Sequence, residues 1–231
     1  MLKVLIIGGY GLKMECNICE KDMVPLVADL WRCQECELIS SDIPPDKTIY
    51  DRSYCLKYER YSKTWIGGKV DRIRVETIAG HNGHGALLDF GCGYGTFVTA
   101  CREKSIDARG FDINPHGGFC DISTLLGNHK TVTFWDSLEH TARPKQIIAG
   151  LDPEYVFICT PSTDDFLPER VRLPDWHHYY PGEHCHYFNA PSLRRLLYEL
   201  GYDIVTEHYQ ESEYRASGGN KNILTIGGRK L

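Results

Sequence analysis

Three glycines at alternate positions follow a short apolar run and an acid in Leu87–Phe97, which reads L-L-D-F-G-C-G-Y-G-T-F. This pattern predicts a strand that ends in a sharp turn, because glycine adopts positive φ without steric cost. A turn of this kind before a helix lets backbone amides approach a bound ligand closely. The segment therefore predicts a ligand-binding loop, whose candidate positions are Asp89, Gly91, Cys92, Gly93 and Gly95.

A second acid follows this loop at a spacing suited to a nucleoside. Asp112 comes seventeen residues after Gly95, at the end of the apolar run in G-F-D-I-N-P. A carboxylate at the tip of the second strand can accept hydrogen bonds from ribose hydroxyls, and Ile113 stands beside it. Asp121 ends a predicted third strand, Phe119–Ile122, and is a candidate for the adenine amino group or, equally, a helix N-cap. The alternative is a purely structural turn with unrelated surface acids.

Four cysteines near the N-terminus have metal-ligand spacing. Cys16 and Cys19 form one C-x2-C pair, Cys33 and Cys36 form another, and thirteen residues separate the pairs. Two such turns present four thiolates, the tetrahedral ligand set that zinc favours. A site of this kind has no open position, so we expect it to stabilise a small ribbon. The alternatives are redox C-x-x-C motifs or coincidence.

An acid, a second acid and an imidazole follow the predicted fourth strand, Val132–Trp135, in the segment D-S-L-E-H. Ligands of open α/β sheets bind outside the carboxyl ends of the strands. Asp136, Glu139 and His140 are therefore predicted to face the donor and the acceptor of a reaction. The alternative is an acid at a helix start with a capping histidine.

Polar and aromatic side chains flank this centre on both sides in the sequence. Tyr50, Tyr54, Tyr58 and Tyr61 are spaced for one face of a helix, and by itself such a stripe favours packing on a core. The long connection 164–187 resembles a lid over a polar substrate. Its predicted substrate-binding residues are Trp176, His184 and His186. A second metal site from His184, Cys185 and His186 is a weaker alternative, because adjacent strand residues point to opposite sides.

Length and composition bound what the chain can be. The 231 residues suffice for one α/β domain and a small appendage, and the 42% hydrophobic content is typical of a soluble protein. A net charge of −5 argues against a broad basic surface for nucleic acid. The sequence predicts no membrane span and no signal peptide, and the grouped cysteines predict a reducing, cytoplasmic compartment.

The chemistry-bearing segments must be positioned by a few elements. We predict an N-terminal arm over 1–13, a ribbon over 14–45, a tyrosine-rich helical linker over 46–80 and an α/β domain over 81–231. The run K-V-L-I-I-G-G-Y-G in the arm has no assigned chemistry, because a cysteine pair follows where a helix should begin. Helices are predicted at 70–79, 97–103 and 191–200, with strands at 155–159, 203–207 and 222–226.

Together, D-F-G-C-G-Y-G, G-F-D-I-N-P, W-D-S-L-E-H and P-G-E-H-C-H-Y-F resemble the class I S-adenosylmethionine-dependent methyltransferases. The resemblance implies a Rossmann-like α/β sheet of seven strands with helices on both faces, and S-adenosylmethionine as cofactor. The cysteine ribbon followed by Y-S-K-T-W is similar to the zinc-containing sugar C-methyltransferases, which methylate a nucleotide-linked 4-keto deoxysugar. The further C-terminal α/β domain of that family has no counterpart up to Leu231.

This second resemblance implies roles for individual residues. Glu139 would bind a sugar hydroxyl, His140 would act as general base, and Tyr58 and Tyr61 would flank the sugar. The predicted partner is thus a small, sugar-like acceptor, with structural Zn²⁺ in the ribbon. Three alternatives stay open: O-methylation of another small molecule, methylation of a nucleic acid with the ribbon as docking module, and donor binding without catalysis.

Overall fold

The computed structural model describes residues 13–27, 29–81, 85–114, 118–119, 121–165, 175–215 and 221–231. Of the predicted arm, only Lys13 belongs to this part of the chain, and the glycine-rich run 3–11 lies outside the described residues. None of the described helices is long and apolar enough to cross a membrane.

The cysteine-containing segment forms a small antiparallel sheet. Its strands are β1 (Met14–Glu15), β2 (Asp22–Val27), β3 (Leu30–Cys33) and β4 (Ile39–Ser41), paired in chain order. Ser40 and Ser41 are fully buried in β4. The ribbon is therefore covered on its β4 side by another part of the chain.

Two helices connect the ribbon to the main sheet. Helix α1 (Arg52–Ser62) begins at Asp51, whose side chain caps the Tyr54 amide, and α2 (Trp65–Gly80) begins at Thr64 in the same way. Helix α2 contains the helix predicted at 70–79. The predicted four-tyrosine helix face is wrong at its first member, because Tyr50 precedes the N-cap of α1.

The next elements form the parallel half of the main sheet. Strand β5 (Leu87–Phe90) leads through the glycine loop to α3 (Thr96–Glu103) and β6 (Ala108–Phe111). Strand β7 (Thr131–Trp135) is followed by α4 (Pro144–Leu151) and β8 (Tyr155–Pro161). These strands lie parallel in the order β6, β5, β7, β8. The predicted strands at 132–135 and 155–159 and the helix at 97–103 are confirmed.

The last part of the chain completes both sheets. Strand β9 (His186–Tyr187) pairs with β4 of the ribbon, and α5 (Ala190–Glu199) follows it. Strand β10 (Tyr202–His208), the short α6 (Ser212–Arg215) and β11 (Ile223–Lys230) end the chain. Strand β11 pairs antiparallel with β8, and β10 lies outside it at the sheet edge. The predicted helix at 191–200 and both late strands are confirmed.

The predicted seven-stranded sheet is wrong, because the described part of the chain gives the main sheet six strands. The segment predicted as the third strand, 119–122, runs instead into a 3-10 helix, Ile122–Leu125. Asp121 is the N-cap of this helix and accepts the Ser123 amide at 2.9 Å. The local hydrogen bond of the Asp121 side chain thus stabilises a 3-10 helix in place of a strand, in a connection too short for the usual crossover helix.

Alternating side chains of the main sheet enter two apolar layers. Leu87 and Phe157 pack on one face with α2 and α3, whereas Leu88 and Ile158 pack on the other with α4 and α5. The second layer also includes ribbon side chains such as Ile18 and Trp31. Helices therefore cover both faces, as predicted, and the ribbon shares a core with the larger sheet.

Candidate active site

The glycine loop after β5 is held in the form that its sequence predicts. Gly91, Gly93 and Gly95 have φ values of 83°, 53° and 69°. A Cβ at Gly91 would lie 2.4 Å from Ser137 Cβ, whereas a Cβ at Gly93 would meet no atom within 4 Å. Gly91 is thus required for packing, and Gly93 leaves open space above the loop. A ligand can approach the backbone there.

Asp112 ties this loop to the tip of β6. Its carboxylate accepts the Gly93 amide at 2.8 Å and the Asn114 amide at 2.8 Å. Ile113 is 61% exposed beside it, which is unusual for an isoleucine next to a buried strand. The predicted ribose and nucleobase positions therefore lie at the carboxyl edge of the sheet, together with the open glycine.

Two other predicted loop residues lie beneath the surface. Asp89 is 2% exposed and accepts the Thr133 hydroxyl at 2.7 Å, and burial raises its pKa to about 7. Burial also raises the pKa of the half-buried Cys92. Both side chains support the loop from below. Asp121, which follows Asp112 in the sequence, is fully exposed in its N-cap position.

Asp136 does not stand free at the end of β7, because two arginines bind it. Arg74 of α2 and Arg215 of α6 each donate to its carboxylate at 2.8 Å. Both arginines also bind Glu211, which is fully buried. Burial alone would raise the pKa of Asp136, but Arg215 and Arg74 hold it below its usual range. Asp136 thus anchors α2 and α6 at the site edge.

Glu139 is a buried carboxyl without a charged partner in hydrogen-bond contact. It is 1% exposed, neither carboxylate oxygen makes a hydrogen bond of good geometry within the described residues, and the Thr160 side chain is a neighbouring polar group. Burial, and then the charge of Asp136, raise its pKa well above the usual value. Leaving such a group unsatisfied is costly in a folded core. An unpaired carboxyl at the carboxyl edge of β7 therefore indicates a binding site.

His140 is oriented by contacts to one of its two ring nitrogens. Nδ1 lies 3.2 Å from the Glu183 carbonyl oxygen and 3.0 Å from Tyr50 Oη. A carbonyl can only accept, so Nδ1 carries the proton and the lone pair lies on Nε2. Within the described residues no hydrogen bond occupies Nε2. Burial lowers the pKa of His140, so the ring is neutral at pH 7.

The connection after β8 supplies a wall beside this ring. His184 is 5% exposed and lies edge-on to His140, with ring centroids 4.8 Å apart. Burial, and then the nearby His140, lower the pKa of His184 to about 3. The structure therefore brings together three predicted site residues, Glu139, His140 and His184, although the sequence separates them by up to 45 positions.

The tyrosine-rich segment forms the opposite wall. Tyr54 donates its hydroxyl to the Glu183 carboxylate at 2.7 Å, and its ring packs against those of Tyr50 and Tyr58. Tyr58 and Tyr61 are 43% and 39% exposed on α1. The tyrosine in contact with His140 is thus Tyr50, while the predicted pair lies further along the same stripe, nearer to solvent.

Two predicted substrate-binding residues are engaged with the ribbon side of the connection. Trp176 is 8% exposed and packs in an apolar cluster with Leu30 and Ile39 of the ribbon. His186 on β9 has Nδ1 within 2.9 Å of Ser40 Oγ, and its Nε2 is buried without a partner. Both side chains lie under the wall that contains His184.

A continuous path of backbone contacts joins the ribbon to the site. Strand β4 pairs with β9, and the Ser41 amide donates to the Cys185 carbonyl at 3.0 Å. The Cys185 amide in turn donates to the Glu139 carbonyl at 2.8 Å. The ribbon therefore fixes the position of the segment that presents His184.

The four ribbon cysteines converge as a metal site requires. Cys16 Sγ lies 3.5 Å from Cys36 Sγ, Cys19 Sγ lies 3.4 Å from Cys33 Sγ, and all four are buried. Sulfur ligands of tetrahedral zinc are about 3.8 Å apart for Zn–S bonds of about 2.3 Å. The two turns also have matching backbone bonds, from Glu20 N to Cys16 O and from Glu37 N to Cys33 O. The residues present fit zinc.

The sequence does not indicate a functional role for four of the side chains around the site. Tyr50 and Glu183 orient His140, while Arg74 and Arg215 bind Asp136. The tyrosine spacing and the polar character of 164–187 are signals for the first two. The arginines carry no local signal, because their partners are distant in sequence.

Comparisons with known proteins agree with this geometry. A family model described as a methyltransferase domain matches residues 59–207, which include the glycine loop, Asp112 and His140. No functionally curated protein matches the sequence significantly. The match covers more than half of the chain, which shows the family.

Solved structures with the same fold are distant in sequence. Magnesium protoporphyrin IX methyltransferase from Synechocystis PCC 6803, solved with bound S-adenosylhomocysteine, has a TM-score of 0.60 at 13% identity, covering 80% of this chain and 100% of that one. 1,6-Didemethyltoxoflavin-N1-methyltransferase from Burkholderia thailandensis has a TM-score of 0.51 at 15% identity, covering 90% and 99%. A methyltransferase from Archaeoglobus fulgidus has a TM-score of 0.53 at 16% identity, covering 78% and 100%. The likeness shows the fold.

Proposed function

The chain belongs to the methyltransferase-domain family and is an S-adenosylmethionine-dependent methyltransferase. From this premise we propose that it methylates a small, sugar-like acceptor and that His140 is the general base. The observation that carries the proposal is the unoccupied Nε2 lone pair of His140. The ring is neutral, its other nitrogen is fixed by the Glu183 carbonyl, and it stands at the carboxyl edge of the sheet. A base of this kind can take a proton from the acceptor as the methyl group is transferred.

The donor would be held by the glycine loop and the tip of β6. S-Adenosylmethionine supplies an electrophilic methyl group on a sulfonium. The open backbone at Gly93 would accommodate its methionine part, and Asp112 retains carboxylate lone pairs for ribose hydroxyls. Ile113 and Asp121 are exposed on the side proposed for the adenine. The shape of the loop depends on Asp89, Gly91, Cys92 and Gly95. Asp136 anchors α2 and α6 at the edge of the site.

The acceptor would lie between the two polar walls. Glu139 provides a buried carboxyl for a hydroxyl group, and His184 provides a second neutral imidazole. The tyrosine stripe ending in Tyr58 and Tyr61 offers ring faces and hydroxyls, while Trp176 and His186 support the opposite wall. Neutral hydrogen-bonding groups of this kind suit a polar, uncharged ring. This is the basis for a sugar-like acceptor.

We further propose that the four cysteines hold one structural Zn²⁺. Their sulfur atoms are buried and mutually close, and the set has no open position for catalysis. The metal would stabilise the ribbon and, through β4 and β9, the wall that carries His184. Thiols kept for metal binding support a reducing, cytoplasmic compartment.

Substituting Gly93 tests the donor site. We expect Gly93→Leu to weaken binding of S-adenosylhomocysteine about 100-fold, equal to about 2.7 kcal/mol, because the new side chain fills the space above the loop. A Cβ at Gly93 meets no atom within 4 Å, but the positive φ of 53° strains any other residue there, so thermal unfolding checks that the variant is folded. Calorimetric titration measures the affinity. Gly201→Leu, at another open glycine with a positive φ of 77°, is the matched control, and unchanged affinity in a folded Gly93→Leu would contradict the assignment.

An isotope-exchange experiment tests the acceptor chemistry. A panel of nucleotide-linked 4-keto deoxysugars is incubated with the enzyme and S-adenosylhomocysteine in D₂O, and deuterium at C3 is measured by NMR. We expect exchange, because the 4-keto group acidifies the neighbouring C–H and His140 can remove that proton. O-methylation would instead give no carbon exchange in this mixture, and a methylated hydroxyl of the acceptor when S-adenosylmethionine replaces S-adenosylhomocysteine. Neither exchange nor methyl transfer with any member of the panel would overturn the sugar assignment.

A further inference from the structure

Three side chains at the acceptor site have the composition of a metal-ligand set. The ligating atoms of Glu139, His140 and His184 all lie within 4.8 Å of one another. Nitrogen and oxygen ligands of a tetrahedral zinc ion are about 3.4 Å apart, given bonds of about 2.0–2.2 Å. Small side-chain rotations would therefore bring the three atoms onto one ion. In the described part of the chain, only the ribbon cysteines form another such group.

The buried carboxyl of Glu139 lacks the positive partner that a carboxylate in a core needs. At 1% exposure neither oxygen makes a hydrogen bond of good geometry, the neighbouring Thr160 hydroxyl carries no charge, and no basic side chain among the described residues forms an ion pair with Glu139. The nearby arginines, Arg74 and Arg215, are already bound to Asp136 and Glu211. A buried carboxylate in this situation is compensated when it coordinates a cation. The absence of a positively charged partner for Glu139 among the described residues thus indicates a cation-binding site.

The orientation of His140 is also the one seen for metal-bound histidines. A ligating imidazole commonly donates its second N–H to a backbone carbonyl, which fixes the tautomer and aims the other nitrogen at the metal. Nδ1 of His140 has this contact with Glu183 at 3.2 Å, and Tyr50 Oη lies 3.0 Å from the same atom. His184 meets the His140 ring at 81°, so the two imidazoles converge without stacking.

We propose that Glu139, His140 and His184 form a second metal site, which binds a divalent transition ion such as Zn²⁺. Two imidazoles and one carboxylate are a borderline ligand set, distinct from the four thiolates of the ribbon. Three protein ligands leave a position open on the acceptor side, so this site exchanges its ion more readily than the enclosed ribbon site.

The effect of the ion on turnover rests on the proposed function. The metal would use the same Nε2 lone pair that accepts the proton, so metal binding and proton transfer by His140 exclude each other. Loading the second site would therefore lower the rate with the acceptor found in the exchange panel. Ion binding itself does not depend on which acceptor the enzyme uses.

Metal stoichiometry tests the site in the full chain. Wild type, Glu139→Gln and His184→Ala are equilibrated with excess Zn²⁺, freed of unbound metal and measured by elemental analysis. We expect the wild type to hold one zinc per chain more than either variant. His186→Ala, which removes a buried histidine from the same segment, is the matched control and should hold the wild-type amount. Thermal unfolding of each variant checks that it is folded.

Cobalt substitution identifies the ligands. Co²⁺ in the ribbon should show intense thiolate charge-transfer absorption, whereas Co²⁺ in the second site should show only the weaker d–d bands of nitrogen and oxygen ligands. We expect those weaker bands to disappear in His184→Ala. Equal zinc content in wild type and both ligand variants would overturn the second site. A second zinc that raises turnover would support the site and overturn the role of His140 as free base.

Discussion

His140→Ala should lower turnover about 10²- to 10⁴-fold, the range that positioned acid-base groups contribute. The variant removes an imidazole whose Nε2 lone pair is unoccupied within the described residues and whose ring is oriented by a fixed contact, from Nδ1 to the Glu183 carbonyl. Donor binding should be unchanged, because the proposed donor contacts are made by the glycine loop and Asp112. Release of S-adenosylhomocysteine with the panel acceptor measures turnover, and calorimetry measures donor affinity.

Two further measurements separate a base from a merely structural histidine. His208→Ala removes a half-buried histidine on β10, outside the site, and should leave turnover near the wild-type value. Added imidazole should restore part of the activity of His140→Ala, because it can enter the vacated space and accept the proton. Turnover near wild type in His140→Ala would contradict the proposed base in both C- and O-methylation.

Zinc removal should have the largest effect on stability. Structural zinc sites contribute about 10–16 kcal/mol of apparent binding free energy in small peptides, and the short strands of the ribbon have little core of their own. We expect one zinc per chain after dialysis against a weak chelator. A strong chelator should then lower the unfolding temperature and remove the protection of the β4 amides from hydrogen exchange.

The ribbon cysteines provide the matched comparison for this prediction. Cys33→Ser should lose the metal, because it removes one of four buried thiols at the site. Cys101→Ser, at an equally buried cysteine of α3, should keep it. A full zinc complement in Cys33→Ser, with an unchanged unfolding temperature, would show that the cluster is not a zinc site.

The parts that the sequence predicts well are those in which spacing alone determines geometry. The glycine loop and its following helix depend on neighbouring residues, and so do the two C-x2-C turns. Strands β7 and β8 are short apolar runs bounded by polar residues, so their limits are visible in the sequence. The site at their carboxyl edge then follows from the rule for open α/β sheets.

The contacts that the sequence does not predict are made between residues far apart in the chain. Asp136 has the position of a ligand-binding acid, but Arg74 and Arg215, 62 and 79 residues away, bind it instead. The contact of Tyr50 with His140 spans 90 residues. Local patterns carry no information about such distant partners. The error at 119–122 is of another kind, because the sequence allows Asp121 equally as the end of a strand or as an N-cap, and the structure has the cap and a 3-10 helix.

The pairing of β4 with β9 also has a consequence for the order of folding. Ile39 pairs with Tyr187, so one ladder closes a very long loop, and contacts of this kind form late because their closure entropy is high. During synthesis the ribbon would emerge with β4 as an unpaired edge, open to wrong pairing until residue 187 has left the ribosome. The wall that carries His184 can therefore form only after β9 has emerged, and a chain that stalls before β9 exposes the edge that the finished protein covers.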